Sequence, residues 1–347
     1  MNKTIFSALA AALLVHVAPI TAFASAGTSR DEVGMGVHLG AATWARCAAE
    51  MQKPGAGAYE LSHLRSSDMP QARFAAHEKY SFESTHGIPG TRHGFNTELV
   101  TGNIGGQGTQ IDALGHFGVL PKKWDGKGNF PSEDLTYYGG WKHSEVKPSE
   151  SSKLMAMGVD KIPPIVTSAV LLDATQFKNG GKMLDNNELI TRGDIKGMLA
   201  SQGLAERGIL PGDMLLIYTG WGNNWNDRKD EYYTRGPGLS YDAALYLKDL
   251  QIVAVALDNP FTDPAPPGML TGEAQPEGTP DGLPFAVHHQ NLSQSGIYQI
   301  QNANLTSIAK DKVWLSCAMV TPLKIDGGAQ SPVSPVAIGA SFVAAKP

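Results

Sequence analysis

The sequence predicts a mixed α/β fold in which helices alternate with buried strands. The first observation is a series of short, largely apolar runs at 165–172, 214–218 and 252–257. The second is that segments with apolar residues at helical spacing lie between and after these runs. Continuous apolar runs are typical of strands covered on both faces, and strands that alternate with helices build α/β domains.

The chain begins with the pattern of a secretory signal peptide. A short positive end precedes an apolar run over 5–23, and an Ala-Ser-Ala cleavage site follows at 24–26. A histidine and a proline interrupt the run before about 20 unbroken apolar residues accumulate, which argues against a membrane anchor. We therefore predict a signal peptide over 1–26 and a single domain over 27–347. The protein would be periplasmic or secreted, with no membrane partner.

The first half of the mature chain is rich in turns and short elements. Residues 44–47 lie in a predicted short helix, and residues 59–63 form a short strand that runs into a loop. Residues 64–95 are polar and rich in turn formers, which predicts a long surface loop of the kind that forms lids or binding loops. Residues 121–163 combine Gly, Pro, Lys and aromatic residues, which predicts an irregular covering segment.

The second half contains helices with marked ends. Thr191 begins one helix, and Ser240 is a good N-cap for another that runs through Leu250. A short helix over 286–294 is closed by Gly296. The other predicted elements are a loop at 259–284 and strands at 313–319 and 323–325.

Composition and charge narrow the classes of partner. Hydrophobic residues make up 42% of the chain and charged residues 18%, which indicates a folded globular protein. A net charge of -5 without a basic run argues against nucleic acid. The two cysteines, Cys47 and Cys317, are too few for a cysteine zinc site. They could pair in an oxidising compartment, but they lie far apart in the chain, so we expect two separate thiols.

One fragment, residues 105–117, concentrates the polar residues that could do chemistry. Its glycines permit close approach of a ligand, but no Gly-Lys-Ser/Thr follows, so it is not a phosphate loop. Gln110 and Asp112 point to one face of an extended chain, and His116 follows a turn. An Asp and a His so placed can form an acid–base pair. From these residues alone, a turn with solvated polar side chains is the favoured alternative.

The fragment resembles the His-x-Gly-Thr-His-x-Asp-x-Pro-x-His signature of the cyclase family of metal-dependent hydrolases, which includes bacterial kynurenine formamidase and isatin hydrolase. The matching residues are Gly108, Thr109, Asp112 and His116. Further family-like motifs follow in order at 209–221, 237–240, 255–260 and 322–333. The resemblance implies a swivelling β/β/α fold with a β-barrel-like core and flanking helices, assembled as a homodimer or homotetramer.

The chain departs from the family at the metal-ligand positions. The first two histidines of the signature fall on Gly106 and Gln110. The late histidine of the family falls on His289, and the glutamate twelve residues later falls on Gln301. Glycine supplies no ligand, and an amide oxygen binds zinc weakly, so a tight two-zinc site is not expected. A weak single-ion site built on Asp112 and His289 stays open, with manganese, magnesium or calcium favoured over zinc, as does a site without metal.

The leading hypothesis is a hydrolase that acts on a small-molecule amide at its C–N bond, or on a cyclic amide or lactone. His116 would be the general base that activates water, and Asp112 would orient it or hold a metal. Gln110, Gln301 and His289 would bind the substrate carbonyl or a weakly held ion. The alternatives are a non-catalytic periplasmic binding protein on the same scaffold, and a lyase or cyclase.

Other residues have weaker claims to the pocket. Gln107 adds a third amide, and Trp221 follows a strand end, where it would pack either on an aromatic substrate or in the core. Glu60 and His63 could enter the pocket from the first strand. His288 is expected at the surface, because adjacent residues on a helix face apart.

Overall fold

The structure, a computed structural model, describes residues 30–85, 87–227 and 231–342. The strands in these ranges are β1 (Gly57–Glu60), β2 (Lys79–Thr85), β3 (Phe95–Thr101), β4 (Gln110–Asp112), β5 (Ile165–Asp173), β6 (Leu189–Ile190), β7 (Met214–Tyr218), β8 (Gly238–Leu239), β9 (Ala254–Leu257), β10 (Tyr298–Gln301), β11 (Leu315–Val320), β12 (Gln330–Pro332) and β13 (Val336–Gly339). The helices are α1 (Ala41–Met51), α2 (His143–Val146), α3 (Ala174–Asn179), α4 (Arg192–Ser201), α5 (Tyr241–Leu250), α6 (Ala286–His288) and α7 (Thr306–Lys310). A π-helix, His289–Ser295, continues α6.

Four parallel strands form the centre of a nine-stranded sheet. The strand order is β1-β13-β11-β5-β7-β9-β10-β4-β12, with β5, β7, β9 and β10 parallel and the outer pairs antiparallel. The three apolar runs form β5, β7 and β9, whose side chains are almost all buried. The sheet curls into a half-barrel with flanking helices, which confirms the predicted β-barrel-like α/β fold.

The helices predicted in the second half are confirmed, and their caps form as expected. The Thr191 side chain accepts from the backbone N–H of Asp194 at the start of α4. Ser240 caps α5 in the same way, and α5 ends at Leu250. Gly296 closes the π-helix in the left-handed conformation (φ 70°). α4 packs on β5, and α3 and α5 pack on α4.

Two predictions for local structure are wrong. Residues 64–95 do not form a plain loop, because β2 pairs with β3 in an antiparallel hairpin. All seven residues of β3 are exposed, so neither face carries the apolar alternation that would mark a strand. The predicted strand at 323–325 is a turn, in which the N–H of Ile325 donates to the carbonyl of Leu323 at 2.9 Å.

Cys47 and Cys317 form a disulfide, so the expectation of two separate thiols is wrong. Cys47 lies on α1 and Cys317 on β11, with their Cα atoms 4.2 Å apart. Helix α1 packs across β5 and β11, which brings together two residues that are 270 positions apart in the chain. The disulfide therefore ties the first helix to the sheet.

The predicted signal peptide, residues 1–26, lies outside the described residues. From Asp31 onward the described chain forms one compact unit. Its helices are too short or too polar to cross a membrane.

Candidate active site

A cavity of about 440 Å³ opens beside β4, β10 and the start of the π-helix. One end is polar and is lined by Asn103, Gln110, Asp112, His116, His288, Gln301 and Gln330. The other walls are aromatic and come from Phe74, Phe117, Tyr233, Phe261 and Phe285. This volume and this combination of apolar walls with a few convergent polar groups are typical of small-molecule sites.

Strand register gathers the polar end of the cavity. On β4, Gln110 and Asp112 share one face, as the sequence predicts. Gln110 lies opposite Gln301 on β10, and Asp112 lies opposite Gln330 on β12. Three strands that are distant in sequence thereby place three carboxamides around one carboxylate.

The carboxamides form a directed hydrogen-bond chain that ends at Asp112. Gln301 Nε2 donates to Asp112 Oδ2 at 2.6 Å, and Gln330 Nε2 donates to Asp112 Oδ1 at 2.8 Å. Gln110 Nε2 donates to Gln301 Oε1 at 3.3 Å. Because an ionised carboxylate only accepts, Gln301 and Gln330 must each present their NH₂ group toward Asp112. Asp112 is fully buried, and both of its oxygens are occupied.

His288, and not His289, belongs to the cavity. Its ring Nδ1 donates to the buried carboxylate of Asp263, which also accepts from the backbone N–H of Val287 at 2.6 Å and of His288 at 3.2 Å. Its Nε2 therefore faces the polar end, 3.3 Å from Gln301 Nε2 and 3.6 Å from Asp112 Oδ2. Burial lowers the pKa of His288, but the carboxylates of Asp263 and then Asp112 outweigh burial and raise it.

The placement of the two histidines corrects two expectations. His288 is buried and not at the surface. His289 does not line the cavity, and its Nδ1 is buried without a partner. Neighbouring residues on the helix do face apart, as the sequence reasoning assumes. The twelve-residue spacing to Gln301 selects His289, whereas the structure places His288 in the cavity. The helix widens to a π-helix at this point, a feature that is common at functional sites.

His116 lies in the cavity wall, where the sequence predicts it. Burial lowers the pKa of His116, and the charge of Asp112 offsets part of that effect. The described residues make no hydrogen bond to its ring, and none links it to Asp112. The predicted role of Asp112 in orienting His116 therefore has no direct contact behind it, whereas Asp263 does orient His288.

Three residues that sequence reasoning associated with the pocket lie behind its walls. Gln107 is fully buried, and its Oε1 accepts from the backbone N–H of Ala72 at 2.8 Å. Trp221 is 1% exposed and packs in an aromatic cluster with Tyr232. His63 stacks on Trp225 with ring centroids 4.4 Å apart. None of the three lines the cavity.

Glu60 lies on the surface, where its carboxylate accepts from the hydroxyls of Ser62 and Ser334.

The Gly-rich loop is held by buried polar contacts. Gly108 has a positive φ of 61°, and its N–H donates to the hydroxyl of Tyr233 at 3.1 Å. Asn302 Nδ2 donates to the Gly108 carbonyl at 2.7 Å. Arg65 donates to the carbonyls of Ile104 and Gln107 at 2.7 and 2.9 Å. These contacts fix the backbone that leads into Gln110 and Asp112.

Two residues that line the cavity and one that supports His288 were missed by sequence reasoning. Asn103, Asp263 and Gln330 come from loops and a short edge strand that carry no motif or spacing of their own. The Asp263–His288 pair is separated by 25 residues, many of them Pro and Gly. The one available indication was the two neighbouring histidines at the start of a predicted helix.

The donor set does not fit a tight divalent-metal site. Within residues 30–85, 87–227 and 231–342, no three His, Cys, Asp or Glu side chains are grouped to hold an ion. Asp112 already accepts two amide N–H groups, whose positive ends face the place that a cation would take. A β-carbon on Gly106 would lie 2.9 Å from Asn103 Nδ2, so an amide occupies space that a side-chain ligand there would need.

Comparisons with known proteins agree with this fold. The model of a family described as "Putative cyclase" matches residues 59–264. The crystal structure of a novel cyclase superposes with a TM-score of 0.72 at 22% identity, covering 88% of this chain and 94% of that one. Isatin hydrolase A from Ralstonia solanacearum gives 0.55 at 18% identity, covering 82% and 92%. An isatin hydrolase bound to the product analogue thioisatinate gives 0.55 at 17%, covering 84% and 95%. No curated protein matches the chain.

Proposed function

The chain belongs to the cyclase family, and on this premise we propose that it is a hydrolase of small aryl or cyclic amides or lactones. The observation that carries the proposal is the pair of histidines, His116 and His288, at the polar end of an aromatic-walled cavity. The structural likeness to isatin hydrolases supports the same class of reaction. No residue role in this proposal requires a metal ion.

The two histidines have different surroundings, which suits different roles. The ring of His116 faces the cavity and makes no hydrogen bond to the residues that the structure describes. Burial lowers its pKa, so it is available to accept a proton from water. His288 is fixed by Asp263, with its Nε2 toward the cavity. A buried carboxylate that fixes one ring nitrogen orients the other for substrate. We assign the general base to His116. The raised pKa of His288 favours its imidazolium form, and we assign to that form the donation of Nε2–H to the carbonyl oxygen.

The proposed reaction is a balanced hydrolysis. Water attacks the carbonyl carbon while His116 takes one of its protons, and the C=O electron pair moves to oxygen. Carboxamide N–H groups and His288 stabilise the oxyanion that forms. The electron pair returns to the carbon, the C–N or C–O bond breaks, and the leaving atom receives the proton from His116. The products are a carboxylic acid and an amine or alcohol, joined in one molecule when the substrate is cyclic.

The test compares His116→Gln with His93→Gln, a matched change at an exposed loop position. Both variants and the parent protein are assayed against a panel of aryl formamides, lactams and lactones. We expect His116→Gln to lower kcat/KM by about 10²- to 10⁴-fold and His93→Gln to leave it unchanged. Full activity in His116→Gln would rule out the assigned base.

A second candidate is a non-catalytic small-molecule binding protein. The observation in its favour is that both oxygens of Asp112 are already engaged by amides, so the carboxylate is not free for chemistry. The same panel separates the two functions. Thermal stabilisation by a compound without any product formed supports the binding protein.

We also propose that the protein is exported and that it forms a homo-oligomer. The disulfide between Cys47 and Cys317 supports export, because disulfides persist in oxidising compartments. Mass spectrometry of protein from the periplasm or medium tests this, with a mature N-terminus expected near Gly27. Light scattering tests the dimer or tetramer, and a monomer at micromolar concentration would contradict it.

A further inference from the structure

Two carboxamides pack closely against Gly106 in the cavity wall. A β-carbon placed on Gly106 would lie 2.9 Å from Asn103 Nδ2 and 3.1 Å from Gln330 Oε1. All three residues line the cavity. A nitrogen from the loop after β3 and an oxygen from β12 therefore lie beside the same point of the cavity wall, on residues that border the open cavity.

The orientation of each carboxamide is fixed by its other end. Gln330 Nε2 donates to Asp112, so Gln330 Oε1 must point away as an acceptor. Asn103 Oδ1 accepts from the backbone N–H of Gly106 at 3.0 Å, so Asn103 Nδ2 must point away as a donor. Across the described ranges, no side chain or backbone group makes a hydrogen bond to either outward atom. The cavity thus presents a donor and an acceptor side by side.

A neighbouring donor and acceptor complement one particular edge of an amide. In an acyclic secondary amide the trans form is strongly favoured, so the N–H and the C=O point in opposite directions. A small ring forces the cis form and places both groups on one edge. A lactone or an N-methylated lactam has the ring but lacks the N–H.

We propose that Asn103 and Gln330 select substrates that carry a cis-amide edge, as in a lactam, a cyclic imide or a cyclic ureide. Asn103 Nδ2 donates to the carbonyl oxygen, and Gln330 Oε1 accepts the ring N–H. The inference deepens the proposed function, since it chooses among the amides and lactones named there. The aromatic walls, including Phe117, Phe261 and Phe285, suit a flat ring attached to that edge.

The experiment measures binding by calorimetry with four probes of similar size. Indolin-2-one has the cis N–H and C=O, N-methylindolin-2-one and 2-coumaranone lack the N–H, and acetanilide holds a trans amide. The protein is tested as the parent chain, as Asn103→Asp and as Asn103→Ala. Asn103→Asp keeps the acceptor for Gly106 and replaces the outward donor with an acceptor. Asn96→Asp, on the exposed hairpin, is the matched control.

The parent chain and Asn96→Asp should bind indolin-2-one about tenfold more tightly than each of the other three probes, the usual effect of one hydrogen bond. In Asn103→Asp and Asn103→Ala, affinity for indolin-2-one should fall about tenfold. Thermal unfolding should be unchanged in Asn103→Asp, because the aspartate keeps the acceptor for the Gly106 N–H. Equal affinity for all four probes, no binding of indolin-2-one, or undiminished affinity in both Asn103 variants would each overturn the inference.

Product formation, followed by chromatography in the same samples, tests the hydrolase separately. The lactam preference without any hydrolysis would reject the proposed function and keep the inference. Hydrolysis without the lactam preference would support the proposed function and reject the inference.

Discussion

Replacing Gln301 by glutamate restores the carboxylate that related proteins are expected to carry and tests whether the site tolerates it without a cation. Gln301 Nε2 lies 2.6 Å from Asp112 Oδ2 and donates to it. The new glutamate would place a second carboxylate oxygen against the first. Its other oxygen could still accept from Gln110, as Gln301 Oε1 does. The change therefore converts one donor into an acceptor in an otherwise unaltered chain of contacts.

The loss of stability in Gln301→Glu depends on which costs less: repulsion between two ionised carboxylates, or protonation of the new glutamate. Two ionised carboxylates at 2.6 Å repel by about 6 kcal/mol at an effective dielectric constant near 20. Protonating the new glutamate at pH 7.5 costs only about 4 kcal/mol, since its ordinary pKa is about 4.3 and each unit is worth about 1.4 kcal/mol. Protonation wins, and a protonated glutamate donates to Asp112 as the amide does. Its folded-state pKa is raised, so the stability it contributes is present below about pH 4.3 and is lost as the pH rises.

Urea denaturation at half-unit steps from pH 4.5 to 7.5 measures the difference in unfolding free energy between Gln301→Glu and the parent chain. We expect almost no difference at pH 4.5 and a loss of about 4 kcal/mol at pH 7.5, with a slope of about 1.4 kcal/mol per pH unit. Millimolar manganese should stabilise the variant and leave the parent chain unchanged. The control Gln52→Glu, on the surface, should stay within about 0.5 kcal/mol of the parent. A variant as stable as the parent at pH 7.5, or a parent stabilised by manganese, would refute the amide chain around Asp112.

Three further predictions concern the support of the site. Burial lowers the pKa of His63 to about 4, so its contribution to stability is present above pH 6.5 and is lost on acidification. Between pH 7.5 and 4, the difference in unfolding free energy between the parent and His63→Gln, measured in urea titrations, should shrink by about 3 kcal/mol. A difference that stays constant with pH would contradict this. Cys47→Ser should lower the unfolding free energy by about 2–5 kcal/mol, and addition of reductant should then have no further effect; equal stability would show that the Cys317 bond is not formed. Tyr233→Phe removes the hydroxyl that accepts from two buried N–H donors, so thermal and urea unfolding should show a loss of about 1–3 kcal/mol, and an unchanged stability would count against that contact.

The parts of the fold that could be predicted are those in which burial produces a recognisable pattern of apolar residues along the sequence. The central strands are covered on both faces, and this produces the largely apolar runs that predicted β5, β7 and β9. The hairpin of β2 and β3 left no such trace because its side chains face outward. The disulfide was equally hidden, because only the packing of α1 across the sheet brings its two cysteines together.

The site was predictable within single strands and not between them. Alternation along β4 places Gln110 and Asp112 on one face, and the structure keeps them there. The partners Asn103 and Gln330 depend on how a loop and an edge strand lie beside β4, which no local pattern encodes. The role of Asp263 depends on a turn that returns a Pro-rich loop to the start of a helix.

Because of the π-helix from His289 to Ser295, residue roles cannot be assigned to this chain from sequence spacing alone. A π turn contains one residue more than an α-helical turn. Residues on either side of it therefore point in the same directions as in an α-helix, while their sequence numbers differ by one. Any alignment that holds the twelve-residue interval to Gln301 will assign the role of His288 to its neighbour. Conversely, deleting one residue within 289–295 would restore α-helical winding and shorten the interval from His288 to Gln301 to twelve residues. A design that moves this cavity to another scaffold should therefore include the π-helix together with the imidazole of His288.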